Sequence, residues 1–72
     1  MTNYYRIRQE AFEEIKKIIK NSGESGINTA FLEKHLLERY GFSKRVLNEF
    51  LRVLDNTDNI IIINNNVVRW KE

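Results

Sequence analysis

Between Ser43 and Arg52 the chain reads Ser-Lys-Arg-Val-Leu-Asn-Glu-Phe-Leu-Arg, with two cations and no anion from Ser43 to Asn48. These are residue types that meet polyanions. Lysine and arginine neutralise phosphates and release counterions. An arginine fork can hold guanine bidentately, asparagine can hold adenine, and a small apolar side chain such as Val46 can touch a thymine methyl. Further on come four isoleucines, Ile60 to Ile63, then Asn64, Asn65 and Asn66, then Val67-Val68-Arg69-Trp70-Lys71. Amide side chains at a turn can donate to phosphate or to minor-groove acceptors. The plainer reading of the same residues is a solvated polar face. Arg45 lies four residues before Glu49 and Arg52 three after it, so one carboxylate could neutralise either.

Other chemistry finds little support. His35 is the only histidine and there is no cysteine, whereas a zinc site needs three or four good ligands. No metal or cofactor is expected, and His35 reads as a half-buried, hydrogen-bonded side chain. Glu10 and Glu14 lie one helical turn apart among lysines and read as surface charge. Gly23-Glu24-Ser25-Gly26 is too short for a phosphate loop and follows a helix rather than a strand. No serine sits in a nucleophile elbow. A domain this small has little room for a concave pocket. Neither an enzyme nor a small-molecule substrate is expected.

The chain has 72 residues and a formal charge of +2, which predicts one domain over residues 1–72 with a mild basic bias. Without cysteines, all its stability must come from packing. No run approaches the roughly 18 apolar residues of a membrane span. The polar start, Met-Thr-Asn-Tyr-Tyr-Arg, does not resemble a signal peptide. The expectation is a soluble, cytoplasmic protein with no membrane partner.

Three helices and a hairpin must position the cations. The first helix is predicted over 4–21, capped by Thr2 or Asn3, with Ile7, Ala11, Ile15, Ile18 and Ile19 on one stripe and Glu13 paired to Lys17. Lys17 and Lys20 add candidate phosphate contacts near its end. Gly23 and Gly26 break the pattern, and Ile27 reads as a single bridge position or a core plug. Asn28 caps a second helix over 29–40, with Leu32, Leu36 and Tyr40 inward and Gly41 as its left-handed terminator. Ser43 caps a third helix over 43–55. Leu47, Leu51 and Leu54 point inward, and Lys44, Arg45, Val46, Asn48, Glu49 and Arg52 are left outside. A hairpin spans 60–71. A two-residue turn puts Ile61, Ile63, Val68 and Trp70 on the core and Ile60, Ile62, Val67, Arg69 and Lys71 outside; a three-residue turn regroups them.

Taken together, Gly26-Ile27-Asn28, Leu32 and Leu36, Tyr40-Gly41-Phe42-Ser43, the Leu47-Leu51-Leu54 stripe and the two β-rich runs resemble the winged helix-turn-helix family over about 4–71. The resemblance implies an α+β, mostly helical domain: a three-helix winged helix-turn-helix with a C-terminal β-hairpin wing. It implies a double-stranded DNA partner, with the third helix in the major groove, and a small transcriptional regulator or a replication or partition accessory. By position, Ser43, Lys44, Arg45, Val46, Asn48, Glu49 and Arg52 would be recognition-helix contacts. Asn64, Asn65, Asn66 and Arg69 would be wing contacts. The tip departs from the pattern in carrying asparagines and no Lys or Arg.

A rival use of the same shape is protein docking. Ile60, Ile62 and Val67 form an apolar hairpin edge that marks an interface, with Tyr4 and Tyr5 packing over the same region. A homodimer through that edge or through the first helix is compatible with it.

Overall fold

The computed structural model describes residues 4–64 and 66–71. Asn65, expected at the turn and among the wing contacts, and Thr2 and Asn3, expected as caps, lie outside the described residues. The element order is α1 (Tyr4–Asn21), β1 (Ile27–Asn28), α2 (Thr29–Tyr40), α3 (Lys44–Asn56), β2 (Ile60–Asn64) and β3 (Val67–Trp70). The strands form one antiparallel sheet in the order β1-β3-β2. The architecture is α+β and mostly helical. Among the described residues, no helix is long and apolar enough to cross a membrane.

One side of each element fills the core. Ala11, Ile15 and Ile19 come from α1, Leu32 and Leu36 from α2, Leu47, Phe50 and Leu54 from α3, and Ile60 and Val68 from the sheet. In α3 the inward stripe therefore runs through Phe50, and Leu51 is only half-buried. A 3.6-residue period places i+3 as close to the stripe as i+4, and the larger Phe50 ring takes the position, edge-on to Phe12 at 5.2 Å.

Local signals set the helix ends. Asn28 Oδ1 accepts the Ala30 N–H at 2.8 Å, the expected N-cap of α2. Gly41 sits at φ 73°, where its N–H returns to the Leu37 carbonyl and that of Phe42 to Leu36. Ser43 occupies the N-cap position of α3, but its hydroxyl makes no capping bond. Only its carbonyl serves, accepting from Val46 and Leu47. The α1 ion pair joins Glu13 to Lys16 rather than Lys17.

The hairpin corrects the expected facing. Asn64 lies opposite Val67, as a two-residue turn requires, but the register then shifts between Ile62 and Asn64. That bulge inverts the alternation of β2, because one extra residue flips every side chain beyond it. Ile60 faces Trp70 and is 3% exposed, so it is core and not interface. Ile61, expected inside, pairs with Arg69. Ile62 shares the face of Val68 yet is 52% exposed, and Ile63, expected inside, is 48% exposed. Val67 is half-buried.

The hairpin is tied down at both ends. Lys71 N–H donates to the Asn59 carbonyl and its ammonium reaches Asp58 at 2.7 Å. Thr29 N–H donates to the Asn66 carbonyl at 2.7 Å. Gly26, at φ 74°, lets β1 reach β3: a Cβ there would stand 2.6 Å from the Val68 carbonyl oxygen.

Candidate nucleic-acid interface

Burial of Leu47, Phe50 and Leu54 turns the opposite side of α3 outward, and Lys44, Arg45, Asn48, Glu49 and Arg52 are all exposed on it. Ser43 is exposed just before them. Val46 is not part of this face; it is half-buried against the core. Arg45, Asn48, Glu49 and Arg52 line one shallow concavity. A neighbouring groove is bordered by Lys44 and Asn48 of α3, Thr29 and Glu33 of α2, and Asn66 of the hairpin. The start of α3 and the hairpin tip thus flank a common depression.

The hairpin residues expected to make contacts divide. Asn66 and Asn64 are exposed, but Asn64 Oδ1 accepts the Asn66 N–H at 2.8 Å, so its oxygen shapes the turn. Arg69 is half-exposed on β3.

Most other cations are engaged. Lys34 pairs with Glu38, Arg39 with Glu14 at 3.2 Å and Lys71 with Asp58. Lys20 is exposed and lies over the Trp70 ring, 4.6 Å from its centre. Among the described residues, Lys44, Arg45, Arg52 and Arg69 form no ion pair, and neither does Lys17.

Glu49 does not neutralise Arg45 or Arg52. Its carboxylate accepts from Arg8 on α1, forty-one residues away in sequence. Arg8 also lies over the Phe50 ring at 5.7 Å, and Glu49 holds its guanidinium above the usual arginine range. Nothing in the local spacing signals this pair, because only the packing of α1 on α3 brings the two residues together.

Glu14 is a second residue whose role is invisible locally. It is half-buried, accepting the Tyr40 hydroxyl at 2.5 Å and the His35 ring at 2.6 Å beside the Arg39 guanidinium. An ionised carboxylate only accepts, so the proton of that bond sits on His35 Nε2. His35 is half-buried and hydrogen-bonded, and it stacks on Phe31. Tyr4 packs against Phe42 and Tyr5. The eighteen residues of α1 rise about 27 Å, so these tyrosines sit at the opposite end of the helix from the Lys20–Trp70 contact. They do not cover the hairpin.

The chain matches no protein-family model, no curated protein and no solved structure.

Proposed function

We propose that this chain is a double-stranded DNA-binding protein of the winged-helix kind, a small cytoplasmic transcriptional regulator that inserts α3 into the major groove. The observation that carries the reading is the set of uncommitted cations. Lys44, Arg45 and Arg52 on the exposed side of α3, and Arg69 on the hairpin, have no carboxylate partner among the described residues. Cations held ready without internal partners suit a phosphate backbone. The element order and the sheet order β1-β3-β2 support the same reading, since they set the hairpin tip beside the start of α3. Lys44 and Arg69 serve as phosphate contacts, Arg45 and Asn48 as base-edge contacts, and Ser43, Arg52, Asn64 and Asn66 as flanking donors. The test is binding to duplex DNA over a salt series. Neutralisation of phosphates by Lys44, Arg52 and Arg69 gives a slope of log K against log salt of about −2.7. A flat dependence, or no binding at micromolar protein, overturns the reading.

A second reading, a docking module or homodimer through the hairpin, draws on the exposure of Ile62 and Ile63 along β2, an edge strand of the sheet. Ile62→Lys separates the two. Loss of self-association with DNA binding intact favours the hairpin as an interface; unchanged association removes it.

A further inference from the structure

We infer that Arg8 is a positioning residue for the DNA-contacting face: by holding Glu49, it keeps α3's own carboxylate off Arg45 and Arg52 and leaves both guanidinium groups free for the polyanion. This inference rests on the DNA-binding reading. Glu49 stands four residues after Arg45 and three before Arg52, so both lie within helical reach of it. It shares one concavity with them, yet its carboxylate is bonded across the helix interface to Arg8. Arg8 is itself held in place. It lies over the Phe50 ring, and Phe50 is a core residue. Without Arg8, Glu49 has two cationic neighbours within reach on its own helix. An exposed helical ion pair shifts an equilibrium only about twofold, so occupation of Arg45 or Arg52 by Glu49 competes with phosphate only partially. Arg8 thus tunes affinity from outside the contact surface.

The experiment is a double-mutant cycle on the full chain, read by binding to duplex DNA over a salt series, with thermal unfolding run on every variant. Arg8→Ala is expected to weaken binding about twofold and to make the salt slope shallower by up to about 1. In the Glu49→Gln background the same Arg8→Ala change is expected to have no effect on binding, because the competing carboxylate is gone. Arg8→Lys restores most of the affinity. If Arg8→Ala weakens binding equally in both backgrounds, Arg8 touches phosphate itself or acts through stability, and the inference is overturned. A DNA-free readout separates its failure from that of the function. The Arg8 side-chain NMR signal is expected to move on Glu49→Gln, and an unmoved signal overturns the pair even where the unaltered protein binds DNA with a steep salt slope. Absence of salt-dependent DNA binding by the unaltered protein overturns both readings.

Discussion

Tyr40, the last residue of α2, donates its hydroxyl to the Glu14 carboxylate in the middle of α1, 26 residues back along the chain. His35 and Arg39 close on the same carboxylate, so one acidic side chain ties two helices together on the flank of the core. Tyr40's donation is the chief reason that the Glu14 carboxyl titrates below the ordinary range, with His35 and Arg39 adding to it.

That bond gives stability a defined pH dependence. With the folded value lowered, the unfolded chain takes up the Glu14 proton first as the solution is acidified. The stabilisation is complete above about pH 4.3 and is lost as pH falls through the lower folded value. Glu14→Gln is expected to cost about 1–2 kcal/mol at pH 7, with the gap narrowing toward pH 3, as measured by urea unfolding at the two pH values. A gap that stays constant assigns the loss to packing instead. The Tyr40 hydroxyl titrates above its ordinary range because of Glu14. Its contribution is therefore present below about pH 10 and fades as pH rises through the folded value.

The bulge in β2 makes neighbouring isoleucines energetically unlike. Ile60→Ala removes a buried side chain opposite Trp70 and should cost about 2–4 kcal/mol. Ile62→Ala, at an exposed position, should change stability by less than about 0.5 kcal/mol. Equal losses in denaturant melts would contradict the register.

Two glycines with nearly the same φ should respond differently. Gly41→Ala meets open space and bears only the left-handed backbone penalty, about 1 kcal/mol. Gly26→Ala adds a collision with the Val68 carbonyl oxygen and should destabilise by clearly more. Hydrogen exchange should then rise at the amides that join β1 to β3 in the Gly26 variant alone.

On DNA, Arg45→Ala should lose about 1–3 kcal/mol of specific affinity. Arg39→Ala, whose guanidinium is paired with Glu14, should leave binding within a factor of about two. Fluorescence anisotropy with one duplex measures both, and equal losses would mean that net charge alone is being read.

Periodicity and caps made the helices legible. The end of α1, the whole of α2 and the left-handed Gly41 follow from signals within a few residues of each boundary. The exposed cations of α3 were equally readable, since the buried stripe dictates what faces away. What escaped was non-local. The facing of Ile60 and Ile63 depends on a bulge, which alternation of residue types does not encode. The partners of Glu14 and Glu49 lie more than twenty residues away in sequence, and charge spacing along one helix does not reveal them. Ser43 had the right residue type at the right place, yet its hydroxyl is unused.

The bond from Thr29 N–H to the Asn66 carbonyl anchors the hairpin tip to the first residue of α2. On the proposed reading the helix that would enter the groove is α3, which packs on α2, so through that bond the hairpin and α3 are gauged against each other like the jaws of a fixed calliper. Such a protein would measure the distance between its two footholds, and a target lengthened by one base pair between them would be refused even with every base it reads intact.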